Sequence, residues 1–207
     1  MNTFDCIESR FSYRGKYSNE LVPKEDLIKI MEAGLAAPSG CNKQTTSLIC
    51  VDDKDILDKL YSVIVPKTGN IAPAMICVLT ERINAYRDKC FAIQDYSAAI
   101  ENMLLAITDL GYASCWVEGH ITDDDRICDK MAKILDIPSN YDLVCYLPVG
   151  KPIEEAKRVK KKEFSERAWF NKYGNNKWLL PKSHFLFVKN SIFCHNFNKF
   201  NIKYWVN

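Results

Sequence analysis

The chain has 207 residues, of which 47% are hydrophobic and 26% charged, enough for one domain with a real core and room for an appendage. Its 28 basic and 26 acidic residues leave a net charge of +2, which excludes a global field directed at nucleic acid or a membrane surface. The N-terminus carries no basic-then-apolar signal pattern, and no apolar run nears the roughly 18 residues of a membrane span, so a cytoplasmic protein is expected.

In chain order, residues 3–9 predict a short helix. "PKEDLIKIMEAGLAA" predicts a second one, with Pro23 in its first turn, acidic residues close behind and an apolar stripe of Leu27, Ile30, Met31, Gly34 and Leu35. "TTSLICVDD" reads as a strand, "DKDILDKLYSVI" as a helix and "PAMICVL" as a buried strand. "DYSAAIENMLLAITDLG" is a long helix that stops at Gly111, and "YASCWV" follows as a strand. "TDDDRICDKMAKILDI" is a helix with Thr122 as N-cap, and "YDLVCYLPVG" is a last buried strand. The sum is an α+β domain, a central sheet with helices on its faces.

From residue 153 the character changes. "IEEAKRVKKKEFSER" is highly charged, and "NNKWLLPKSHFLFVKNSIFCHNFNKFNIKYWVN" shows neither helical nor strand period, so it receives no element. It is read as an arm for a partner subunit or as an extension apart from the domain's chemistry.

Nine cysteines stand at 6, 41, 50, 77, 90, 115, 128, 145 and 194, with no C-x-x-C pair and no spacing that frames a tetrahedral metal site. Their odd number predicts reduced thiols, several of them small buried hydrophobes in strands. With three histidines, two of them in the tail, and without G-x-S-x-G, P-loop, G-x-G-x-x-G or H-E-x-x-H motifs, no side chain is set up for hydrolysis or metal chemistry. The chemistry is therefore expected to come from a cofactor.

Three stretches carry ligand-binding character. In "SRFSYR", Arg10, Ser12 and Arg14 alternate, so an extended backbone aims all three the same way, and two guanidiniums around a hydroxyl suit a phosphate. In "APSGCNKQ", Pro38 fixes the backbone, Gly40 allows a close approach or a positive φ, and Ser39, Asn42 and Gln44 supply directed donors and acceptors. In "GYASCWVEGH", small residues at 113, 114 and 119 leave room for a flat ring against backbone at the end of a strand. Each stretch also has a plain reading, respectively a solvated loop, a polar helix stop, and a strand followed by a loop.

Taken together and in this order, Arg-x-Ser-x-Arg, "AAPSGCNKQ", "DYSAAIENMLLAITDLGYASCWVEG" and "LPVGKP" followed by a basic stretch resemble the nitroreductase family over about residues 3–173. The resemblance implies a mainly antiparallel sheet flanked by helices in an FMN-dependent homodimer, with residues 1–173 as the flavin domain and 174–207 as an extension. It implies that Arg10, Ser12 and Arg14 hold the phosphate and ribityl side, joined by Lys161 or Lys160. It further implies that Pro38, Ser39, Gly40 and Asn42 reach the flavin from the other subunit with Gln44 nearby, and that Ser114, Cys115, Trp116 and Gly119 lie along the ring. Members take hydride from NADH or NADPH and pass electrons to a nitroaromatic, quinone or similar acceptor. Two departures stand out: Thr45-Thr46 replaces the Pro-Trp that often follows Gln44, and "ERINAYRDKCFAIQ" is a short lid. A specialised flavin enzyme (dehalogenase or flavin-fragmenting) and a non-catalytic flavin binder stay open as alternatives.

Overall fold

The computed structural model describes residues 1–64, 71–119, 126–155 and 158–175. Contacts divide the chain into a first unit, Met1–Val159, and a second, Lys160–Asn207. The first unit holds five helices among its described residues: α1 Thr3–Ser9, α2 Lys24–Leu35, α3 Lys54–Ser62, α4 Ala92–Asp109 and α5 Ile127–Ile134. Its strands are β1 Thr46–Val51, β2 Ala74–Thr80, β3 Val117–Glu118 and β4 Asp142–Val149. In the second unit, the described element is a single 3-10 turn, Phe164–Glu166.

The four strands form one sheet in the order β1-β2-β4-β3, antiparallel at every pairing. Thr46 faces Thr80, Ala74 faces Val149, and Val117 faces Tyr146, with a bulge in β2 between Val78 and Leu79. All seven residues of β2 are buried, because both faces of the sheet are covered. Alternation along β2 separates two cores. Ala74, Ile76 and Val78 pack with Leu27 and Ile30 of α2 and Ile100 and Met103 of α4. Met75, Cys77 and Leu79 pack instead with Leu57 and Leu60 of α3 and Ile127 and Met131 of α5.

Local chemistry explains the boundaries. Asn2 caps α1 by accepting from the Asp5 N–H, and Asp53 caps α3 by accepting from the Ile56 N–H at 3.0 Å. Pro23 sits one residue before α2, where its carbonyl accepts from the Asp26 and Leu27 N–H groups. Within the α2 stripe Leu27, Ile30 and Gly34 are buried, whereas Leu35 is 59% exposed. The helix α4 buries Tyr96, Ile100, Met103 and Ile107 at helical spacing and gives way to Gly111 at φ 81. Asn102 ties it to α2 by donating to the Ala33 carbonyl at 3.0 Å.

The strand expected over 112–117 is reduced to Val117–Glu118. Upstream of these two residues the segment finds other partners. The Ala113 N–H donates to the Gly150 carbonyl at 2.9 Å, and the Ser114 carbonyl accepts from the Tyr13 N–H at 2.8 Å. The segment thus leaves β4 to clamp the Tyr13 stretch. The expected Thr122 cap, with Asp123, Asp124 and Asp125, lies outside the described residues, as do His120, Lys157 and the tail from 176.

Candidate active site

A cavity of about 350 Å³ opens where the 112–118 segment meets the Tyr13 stretch. Arg14, Cys115, Trp116 and Val117 form part of its wall, and Tyr13, Tyr17, Tyr61, Glu118, Tyr146 and Pro148 complete it. This volume lies in the usual range for a small-molecule site. Three of the sequence-derived candidates, Arg14, Cys115 and Trp116, therefore meet in one place.

The alternation in 10–14 is real but unevenly used. Tyr13 is buried, and its hydroxyl donates to the Lys16 carbonyl. Ser12 and Arg14 are exposed on the opposite parity. Arg10 caps the end of α1, where its Nε lies 3.0 Å from the Glu101 carboxylate. Phe11 carries a second cation, since the Arg158 guanidinium sits 5.3 Å from its ring centroid. Within the expected basic stretch, the fold thus brings Arg158 against this segment. Lys160 and Lys161 are exposed in the second unit, where the Lys160 ammonium is 4.0 Å from Glu163.

Electrostatics in the cavity favour protonated walls. Burial pushes the Cys115 thiol up, with Arg14 pulling weakly the other way. Burial likewise raises the Tyr17 and Tyr146 phenols, and it takes Tyr61 to about 12. The Tyr61 hydroxyl also accepts from the Ala72 N–H at 3.0 Å. Tyr17 differs: its buried hydroxyl finds no hydrogen-bond partner among the described residues, and neither does the hydroxyl of Ser114. An orphaned phenol in a cavity wall points to a polar atom of a ligand. At the rim the Trp116 indole N–H donates to the Glu118 carboxylate at 3.2 Å, and Tyr96 packs edge-on against the indole at 6.3 Å.

Gly119 serves packing rather than an open ring face. A Cβ there would lie 2.6 Å from the Cys128 Cβ and 2.9 Å from the Val144 carbonyl oxygen. Its N–H donates to that same carbonyl at 3.1 Å.

The 38–44 loop lines no part of this cavity. It is nevertheless a tightly built structure. Ser39 accepts from the Gln44 N–H at 2.9 Å, and Gln44 reaches Asn42 at 3.4 Å. Gly40 is needed for close approach, because a Cβ would lie 2.5 Å from Phe91 Cδ2, while the positive φ falls on its neighbours Cys41, Asn42 and Gln44 at 51°, 53° and 51°. Pro38 and Ser39 lead into a 3-10 turn, Gly40–Asn42. Two contacts hold that turn from α4. The Asp95 carboxylate accepts from the Gly40 N–H at 2.7 Å and from the Thr45 hydroxyl at 2.8 Å.

The tyrosines at 13, 17, 61 and 146 went unread in the sequence, and so did Asp95 as a loop anchor. They come from separate elements, and no local spacing joins them. Cys41 is exposed, and every described cysteine is unpaired.

Comparison with known proteins adds an independent line. The sequence matches the nitroreductase family over residues 7–69 and 67–151. An Archaeoglobus fulgidus protein with the provisional name NADH dehydrogenase/NAD(P)H nitroreductase is 29% identical over 155 residues, 73% of this chain and 87% of that one. The fold matches an FMN-dependent nitroreductase from Clostridium difficile at a TM-score of 0.70 and 28% identity, covering 83% of this chain and 100% of the other. It also matches a Bacteroides fragilis nitroreductase with bound FMN at a TM-score of 0.62 and 28% identity, over 79% and 95% of the two chains.

Proposed function

The chain belongs to the nitroreductase family, and from that premise we propose that it is an FMN-dependent NAD(P)H oxidoreductase acting on a nitroaromatic, quinone or similar acceptor. One observation carries the reading: a single cavity joins Arg14, the Cys115–Glu118 segment and Tyr17, whose buried hydroxyl has no hydrogen-bond partner among the described residues. Aromatic walls suit a flat ring, the guanidinium suits a phosphate, and the buried phenol awaits a polar edge. When bound, FMN supplies hydride acceptance from NADH or NADPH and electron delivery to the acceptor.

The chain's own residues bind, orient and exclude. Arg14 holds the phosphate side with Arg10 and Ser12, and Arg158 on Phe11 adds charge to the same stretch. Lys160 and Lys161 are assigned to that anion by the family's pattern alone. Ser114, Cys115 and Trp116 take the ring side, with Gly119 shaping the turn beneath them. Because burial holds the Cys115 thiol and the Tyr17, Tyr61 and Tyr146 phenols in their protonated forms, these four side chains neither accept a proton at neutral pH nor add negative charge beside an electron-rich ring.

The functional unit in this reading is a homodimer, in which Pro38, Ser39, Gly40, Asn42 and Gln44 of one protomer complete the cavity of the other. Two features support it: the loop is ordered yet absent from its own protomer's cavity wall, and Phe4, Ile7, Leu35 and Ile93 leave apolar surface exposed on α1, α2 and α4.

Purified protein is expected to be yellow, and its oxidised-flavin spectrum to bleach anaerobically with NADH or NADPH. Colourless protein that cannot be reconstituted with FMN would refute the flavin reading. Bound flavin that stays oxidised for minutes in excess NAD(P)H would identify a flavin binder instead.

A further inference from the structure

We propose that Asp95 is a positioning residue for flavin binding, and that it acts on the site of the partner subunit through the Gly40 loop; this rests on the flavin reading above. Asp95 is 4% exposed and Thr45 3%, so the two contacts that bracket the loop are shielded from water. One carboxylate oxygen accepts from the Gly40 N–H at 2.7 Å and the other from the Thr45 hydroxyl at 2.8 Å. Between these fixed points, Cys41, Asn42 and Gln44 all hold left-handed backbone, a conformation that costs free energy at each non-glycine position. A loop with that much stored cost keeps its shape only where its surroundings impose it. The Ser39–Gln44 bond imposes part of it from within, and the Asp95 fork adds a restraint from α4.

The direction of action follows from what the loop does not touch. None of residues 38–44 lines the cavity that Arg14 and Cys115–Glu118 form in the same protomer. A loop organised this closely that lines no part of its own cavity is placed to serve another. Asp95 therefore preorganises the donors and acceptors of Asn42 and Gln44 before the two protomers meet at a flavin.

The test uses full-length dimers and three variants. Asp95→Ala is expected to weaken FMN binding about tenfold or more, because the loop loses both anchors. Asp95→Asn keeps an acceptor for the Gly40 N–H and offers its amide N–H to the Thr45 oxygen, so it should stay within about threefold of wild type. Arg14→Ala weakens the cavity half of the site. A doubly tagged Asp95→Ala/Arg14→Ala heterodimer contains one site with both defects and one with neither, so it is expected to regain one tightly bound flavin per dimer.

A variant that merely misfolds cannot be repaired by such mixing. A heterodimer with no tight site, wild-type affinity in Asp95→Ala, or an Asn variant as poor as the Ala variant would each overturn the proposal. Amide exchange of the 39–45 segment, measured without flavin, supplies a separate readout. It should be about tenfold faster at Gly40 in Asp95→Ala and unchanged in Asp95→Asn. Equal exchange in wild type and Asp95→Ala would overturn the anchoring role. Should wild-type protein take up no FMN, the flavin reading would fail while the exchange measurement still judged Asp95.

Discussion

Cys128, at the start of α5, closes over Gly119 so tightly that its Cβ would lie 2.6 Å from any Cβ placed there. The contact fastens the end of β3 to α5 from both sides, since the Gly119 carbonyl also accepts from the Cys128 N–H at 3.2 Å. Because the Val144 carbonyl oxygen stands 2.9 Å from the same point, the backbone has no direction in which to yield.

Gly119→Ala is therefore expected to destabilise the domain by about 2–3 kcal/mol through overpacking, read as a lower urea midpoint. Adding Cys128→Ala removes the sulfur but neither the Cys128 Cβ nor the Val144 oxygen, so recovery should be partial. An alanine variant with the wild-type midpoint would show that the turn has slack the packing denies.

Much of this architecture was written in the sequence, and the parts that were not share a cause. β2 and β4 announced themselves as apolar runs, because burial on both faces leaves few polar positions to blur them, and the partly buried β1 was still legible from its apolar Leu48–Val51 end. The segment 112–117 has the same composition, yet only Val117 and Glu118 pair with β4, because Ser114 is taken by Tyr13, a residue about a hundred positions away. Arg14 and Cys115–Glu118 were legible as separate ligand-binding stretches, and the order of motifs joined them. The tyrosine walls and the Asp95 fork were not legible, since each depends on residues brought together across the fold and on geometry that no local period encodes. Gly40 was read as a source of either close approach or positive φ. Phe91 makes it the former, and the left-handed backbone moved to its neighbours.

Tyr17 offers a cleaner probe of the cavity than any charged residue. Its hydroxyl is buried without a partner among the described residues, so the flavin-free protein gains nothing from it and bears its desolvation. Tyr17→Phe is expected to leave the melting temperature of flavin-free protein unchanged or raise it by about 1–3 °C. In the presence of FMN the same change should weaken binding by about three- to tenfold, one hydrogen bond to a ligand. Calorimetry of both forms checks the two halves together. A variant that lowers stability without touching FMN affinity would assign the hydroxyl to the fold rather than to the ligand.

The Tyr112–Asp26 hydrogen bond gives a pH signature with two edges. Tyr112 donates to the Asp26 carboxylate at 2.9 Å, and Lys29 sits 2.9 Å from the same residue. The Lys29 and Tyr112 hydrogen bonds hold the Asp26 carboxyl below the usual aspartate range. Burial, then the carboxylate it donates to, pushes the Tyr112 phenol up to about 12. A depressed carboxyl contributes stability that is present above its unfolded pKa, about 3.9, and is lost as pH falls through the lower folded value. A raised phenol contributes stability that is present below its unfolded pKa, about 10, and is lost as pH rises through the higher folded value. The stability difference between wild type and Tyr112→Phe should therefore be flat from about pH 5 to 9 and shrink beyond both edges. Urea titrations of the two proteins across that range measure it directly. A difference that stays constant below the acid edge would mean that Tyr112 stabilises the α2–α4 end of the domain by packing and not through Asp26.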